Sequence, residues 1–126
     1  MEWTFNISPV AASRPRVSKW GAYYTGPYKE FKEKASEEVY KVLGTERELI
    51  TKPIVVSLEM YIRQPKKTEL EYPRGDVDNY VKAVFDAMNG KLWKDDSQIF
   101  AMFASKQWAD RSSDGYFTLS ISNKIK

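Results

Sequence analysis

The sequence predicts an α+β (mixed α/β) fold: a single domain over 1–126, with a roughly four-stranded mixed sheet and two packed helices in β-α-β-α-β-β order. Three observations predict it. Apolar residues alternate in short runs near both ends and in the middle of the chain, two intervening windows carry apolar residues at helical spacing, and 126 residues with 42% hydrophobic content suffice for one core.

The first strand is read in 3–7, where Trp3, Phe5 and Ile7 alternate with Thr4 and Asn6. From Ser8 to Gly26 the prolines, glycines and small residues show no period and predict a long loop, ordered or partly mobile. Pro27 suits the first turn of a helix, and Phe31, Ala35, Val39, Val42 and Leu43 share one face, so a helix is expected over 27–43 with Gly44 as its stop. Val56, Leu58, Met60 and Ile62 alternate with Ser57, Glu59 and Tyr61 in a second strand. A second helix is expected over 79–89, capped by Asp78 and ended by Gly90, with Val81, Val84, Phe85 and Met88 as its buried stripe. The run 98–108 is apolar on both faces and predicts a central strand; Phe117, Leu119 and Ile121 mark a fourth.

The residues that are missing narrow the chemistry. The chain has no histidine and no cysteine, which excludes imidazole bases, Ser-His and Cys-His nucleophiles, thiolate metal sites and disulfides. No G-x-x-x-x-G-K or G-x-G-x-x-G spacing occurs among the six glycines, so a nucleoside-triphosphate enzyme is disfavoured. The N-terminus has an acid at position 2 and no continuous apolar region, and no apolar run reaches the length a membrane span needs, so a cytoplasmic protein without a membrane partner is expected. A net charge of +3 is too small to name a partner, and the distribution of charge must do so.

That distribution is uneven. In "PRGDVDNYVKAVFDAMNGKLWKDDSQI" Asp76 and Asp78 stand at one end of the second helix, Asp95 and Asp96 just past the other, and Lys82 between them. On a helical wheel Asp78, Lys82 and Asn89 line one border of the apolar stripe and Asp86 lies further toward solvent. Each acid alone reads as a cap, an i,i+4 partner or a solvated turn. Together, aspartates drawn to one point need a cation between them, and ligation by oxygen alone selects Mg²⁺, with Mn²⁺ as an alternative. Such an ion activates water and stabilises a pentacoordinate phosphate, with Lys82 neutralising charge on the phosphoryl oxygens or positioning the water. A calcium-binding EF-hand is disfavoured, because "DVDNYVKAVFDA" lacks the required glycine and terminal glutamate.

Near the N-terminus Arg14, Arg16, Lys19 and Lys29 interleave with Trp20, Tyr23, Tyr24 and Tyr28, offering cations to phosphates and flat faces to unpaired bases. Lys66, Lys67, Arg74 and Lys106 extend the supply of positive charge. The bland alternative is a solvated loop whose aromatics cover the core edge. The expected DNA-binding set is therefore Arg14, Arg16, Lys19, Trp20, Lys66, Lys67, Arg74 and Lys106.

The blocks "RPRVSKWGAYYTGPYKEF", "GDVDNYVKAVFDAMNG" and "WKDDSQI" together resemble the RusA family of Holliday-junction resolvases, small metal-dependent endodeoxyribonucleases of bacteria and their phages. The resemblance implies that Asp76, Asp78 and Asp96 are metal-binding catalytic aspartates, that Asp95 is the adjacent acid of the pair, and that Lys82 is the catalytic lysine. It further implies a homodimer that nicks a four-way junction symmetrically, in recombination and repair. A C2 dimer matches a two-fold junction, and the small residues Ala83 and Ala87, read as outward, would permit close packing. Two other readings stay open at this point: a metal-dependent phosphohydrolase acting on small phosphate esters, and a noncatalytic DNA-binding module.

Overall fold

The computed structural model describes residues 1–125. It places six strands and two helices in the order β1 (Glu2–Phe5), β2 (Arg16–Ser18), β3 (Gly21–Tyr23), α1 (Gly26–Leu43), β4 (Ile54–Ile62), α2 (Val77–Met88), β5 (Ile99–Trp108) and β6 (Tyr116–Ser122). Four strands form a mixed sheet in the order β1-β6-β4-β5. The β1/β6 and β6/β4 pairs are antiparallel, while β4 and β5 run parallel, joined through α2. The α+β architecture and the order of the main elements are those the apolar patterning predicts.

Register explains which face the helices cover. Leu58 pairs with Leu119 on one side and Ala104 on the other, and Met60 with Phe117 and Lys106, so these side chains share one face. That face carries the main core, where Phe5, Val56, Leu58, Met60, Phe117 and Leu119 meet Val39 from α1 and Val81, Val84 and Met88 from α2. Phe5 and Phe117 stack at 4.9 Å. The alternate residues Ser57, Glu59, Thr118 and Ser120 occupy the opposite face, which neither helix covers. A second cluster packs Tyr28, Phe31 and Ala35 of α1 against Ala83 of α2, with Ala87 at its margin. Ala83 and Ala87 therefore face α1, and the expectation that they point outward is corrected.

Three further expectations change. The segment after β1 is not wholly irregular: β2 and β3 form a separate hairpin, paired Arg16 to Tyr23 and Ser18 to Gly21. The run 99–108 is the outer strand, not a central one, and leaves Phe100, Met102 and Phe103 exposed. Finally, α2 starts two residues earlier than its apolar stripe requires, with Asp76 rather than Asp78 at the N-cap.

Candidate active site

The entrance to α2 is built by a tight turn. Gly75 adopts φ +99°, a conformation that disfavours any side chain, and a Cβ there would press to 3.3 Å from the Tyr80 ring. This turn delivers Asp76 to the N-cap and Asp78 to the first helical turn. The backbone N–H groups of Asn79 and Tyr80 donate to the Asp76 carbonyl, at 3.1 and 3.3 Å. The Asp76 carboxylate makes no capping bond, and Asp78 Oδ1 accepts only the N–H of Asn79, at 3.1 Å. Both acids are exposed. A helix N-terminus favours negative charge, so two carboxylates with open lone pairs are tolerated there without ion pairing.

The second acid pair is organised differently. After α2 the chain buries Leu92 and Trp93 completely, each contributing about 1.5–3 kcal/mol of apolar burial. Trp93 packs edge-on against Phe85 at 5.4 Å. A buried indole needs an acceptor for its N–H, and Trp93 Nε1 finds Asp96 Oδ1 at 2.6 Å. Asp96 begins a short 3-10 turn, Asp96–Gln98. Gln98 anchors that turn by donating from Nε2 to the carbonyls of Ile50 and Lys52, both at 2.9 Å, while its Oε1 accepts the Asp95 N–H at 2.8 Å. Asp95 Oδ2 accepts the Ser97 hydroxyl at 2.6 Å. Asp95 is thus engaged in shaping the turn, and Asp96 is aimed by the indole.

Burial pushes the Asp96 carboxyl above the ordinary carboxylate range; the Trp93 hydrogen bond opposes this, the charges of Asp86 and Asp95 add to it, and Lys82 lowers it. Asp96 therefore shares an electrostatic neighbourhood with Lys82 and Asp86. Lys82 Nζ lies 3.5 Å from Asp86 Oδ2, one turn further along α2. Asp86 is half-buried rather than directed to solvent, and it accepts the Tyr28 hydroxyl at 3.4 Å. Burial first, then the Asp86 charge, pushes the Tyr28 phenol up to about 12. Asp86 and Trp93 are the two participants that sequence reasoning did not place in the site. The indole was detectable, since a Trp three residues before an acid can satisfy both.

The four aspartates do not converge as expected. Among the described residues no three His, Cys, Asp or Glu groups gather closely enough to enclose a metal ion. The donor chemistry nevertheless suits a hard divalent cation, because the Asp76 and Asp78 oxygens are nearly free of other bonds. Mg²⁺ in particular binds through one or two carboxylates, keeping waters and taking substrate phosphates for the rest.

Of the residues expected to meet DNA, Arg14, Arg16, Lys19 and Trp20 lie on or beside the β2–β3 hairpin, and all are exposed. Trp20, at the turn of the hairpin, is 86% exposed and Val17 83%, with Lys19 Nζ 5.0 Å above the Trp20 ring. The segment leading into the hairpin is tied to the entrance of α2 by the Ala12 N–H, which donates to the Asn79 carbonyl at 2.9 Å. Lys66, Lys67 and Arg74 are exposed on the loop between β4 and α2. Lys106 is the exception. Its ammonium donates to the Pro73 carbonyl at 2.8 Å and to the Gly75 carbonyl, so it is already occupied within the protein.

Residues 6–113 match the family described as Endodeoxyribonuclease RusA. The chain belongs to the RusA family. It is also 29% identical over 126 aligned residues to the Bacillus subtilis (strain 168) protein YqaN, an alignment covering 87% of this chain and 89% of that protein. The RusA match spans the hairpin, both acid pairs and Lys82. Family membership supports an endodeoxyribonuclease acting in DNA recombination. No helix of the described residues is long and apolar enough to cross a membrane.

Proposed function

We propose that this RusA-family chain is a Mg²⁺-dependent endonuclease that resolves four-way DNA junctions by paired, symmetric nicks. One observation carries the proposal: two carboxylates left open at the entrance of α2 stand beside a tethered hairpin of exposed cations and an exposed indole. Asp76 and Asp78 would hold the metal; Asp96, which does not gather with them into one cluster, would act from its own turn, and Asp95 serves that turn. The bound cation supplies an activated water and charge stabilisation at the phosphate.

The protein's own residues perform the rest. Arg14, Arg16, Lys19, Lys66, Lys67 and Arg74 meet phosphates, which fixes register without reading sequence. Trp20 offers a stacking face to a base unpaired at the junction. Lys82, paired with Asp86 and felt by Asp96, can neutralise charge building on the scissile phosphate.

A homodimer completes the proposal, because two identical sites related by a two-fold axis match two opposing strands. The free edge of β5 carries exposed Phe100, Met102 and Phe103 directly after Asp96, and an unpaired apolar edge favours association with a second copy. Expression in a bacterial cytoplasm, from a chromosome or a resident phage, accords with the family.

The test is cleavage of a labelled synthetic four-way junction beside a matched linear duplex, with Mg²⁺, with Mn²⁺ and with chelator. Paired nicks in the junction alone are expected, lost on chelation, with binding that weakens steeply as salt rises. A Trp20→Ala variant should lose about 1–3 kcal/mol of junction binding per stacked base. Equal cutting of the duplex contradicts the junction assignment, and metal-independent binding without cutting favours a noncatalytic module.

A further inference from the structure

Lys106 occupies a position where a strand beside this core should be apolar. It pairs in register with Met60, whose side chain is fully buried, on the face of the sheet that the helices cover. A lysine turned toward a core is costly unless its ammonium is satisfied. Here it is satisfied in one direction only. Nζ donates to the carbonyls of Pro73 and Gly75, and lies 5.4 Å from the Tyr72 ring centroid and 6.0 Å from that of Tyr80.

The carbonyl between those two is held by a second group. The Tyr80 hydroxyl, reaching back from the first turns of α2, donates to the Arg74 carbonyl at 2.8 Å. Three successive carbonyls, those of Pro73, Arg74 and Gly75, are therefore fixed by side chains from β5 and α2, immediately before Asp76. Gly75, at positive φ and against the Tyr80 ring, lets the turn fit beneath this latch.

We infer that Lys106 is a positioning residue, a latch from the outer strand that fixes the Pro73–Gly75 turn and thereby aims Asp76 and Asp78. The inference rests on the nuclease reading for its catalytic consequence, but the latch itself can be tested without cleavage. It also separates Lys106 from the other lysines. A phosphate contact sets affinity and salt dependence, whereas an ammonium bound to backbone carbonyls sets where the acids stand. Outer contacts that orient ligating carboxylates typically affect activity roughly 10- to 100-fold.

The experiment compares wild type, Lys106→Met, Lys106→Arg and Tyr80→Phe by three measurements: single-turnover junction cleavage with Mg²⁺, junction affinity with chelator across a salt series, and backbone ¹⁵N order parameters for residues 74–77. Lys106→Met should lower the cleavage rate roughly 10- to 100-fold while junction affinity and its salt slope stay unchanged. Its order parameters should fall from rigid values near 0.85 toward about 0.6 or below. Lys106→Arg, which can still donate to both carbonyls, should recover most of the rate, and Tyr80→Phe should show a smaller loss of the same kind. Weakened junction affinity with a salt slope reduced by about one would instead make Lys106 a DNA contact and overturn the inference. Order parameters equal to wild type in Lys106→Met overturn the latch. A wild-type protein that binds but never cuts overturns the nuclease reading and the catalytic consequence, with the order parameters still deciding the latch.

Discussion

The two acid pairs of this chain, Asp76 with Asp78 and Asp95 with Asp96, look alike in sequence and differ in how their carboxylates are engaged. At the entrance of α2 the carboxylates are exposed and almost free of hydrogen bonds, while the backbone beneath them is held by Lys106 and Tyr80. In the turn before β5 the side chains are themselves engaged, Asp95 by Ser97 and Asp96 by the buried Trp93 indole. A tethered backbone carrying open acids suits a metal and a phosphate. Engaged acids instead shape a turn and present one aimed, partly desolvated carboxyl. Neighbours in sequence thus need not share a role.

The largest expected effect sharpens that contrast at its open end. Asp76→Asn and Asp78→Asn remove charge worth several kcal/mol of transition-state stabilisation, on the order of 10³-fold in single-turnover cleavage. Junction affinity measured with chelator should survive both. Next, Trp93→Phe keeps the ring in the core but leaves Asp96 without its donor, which should destabilise the fold by about 1–3 kcal/mol in denaturant titration. A change within error there would show that the indole does not hold Asp96.

Asp96 itself gives a smaller effect with a defined sign. Because burial raises its folded-state pKa, the protonated carboxyl is favoured by folding, and that contribution is present below the ordinary aspartate pKa and lost as pH rises through the folded value. Asp96→Asn should therefore be more stable than wild type near neutral pH, with the advantage shrinking as both are acidified, although its cleavage is lost. A variant less stable at neutral pH would contradict the assignment of burial as the main cause. The smallest effect belongs to Asp95→Ala, which loses one exposed bond to Ser97 and should cost about 0.5–1.5 kcal/mol in thermal unfolding.

Much of the fold was legible, and the residues show why. The alternation of Val56, Leu58, Met60 and Ile62 reports a strand with one buried face, and β4 forms there. The β2–β3 hairpin left no such trace, because every residue in both of its strands is exposed and no burial imposes a period. The run from Ile99 to Ala104 misled in the opposite sense: apolar residues on both faces predict a central strand, yet Phe100, Met102 and Phe103 remain uncovered at the sheet edge.

The site was legible by residue type more than by geometry. The clustering of charge points to Asp76, Asp78, Asp95, Asp96 and Lys82, and the RusA resemblance is what selects Asp96 from the second pair, but no three acids gather among the described residues. Lys106 falls among the DNA-facing cations on sequence alone because its partners are backbone carbonyls, which a sequence does not display. Asp86 was set aside because the wheel placed it beyond the apolar border, while the approach of α1 brings Tyr28 over it.

The most direct measurement of the central contrast is the single-turnover cleavage rate of Asp76→Asn against that of Asp95→Asn, on one saturating four-way junction with Mg²⁺. The account predicts that Asp95→Asn stays within about tenfold of wild type while Asp76→Asn falls at least about 10² below it. Equal losses in the two variants, or retained cleavage in Asp76→Asn, would contradict it.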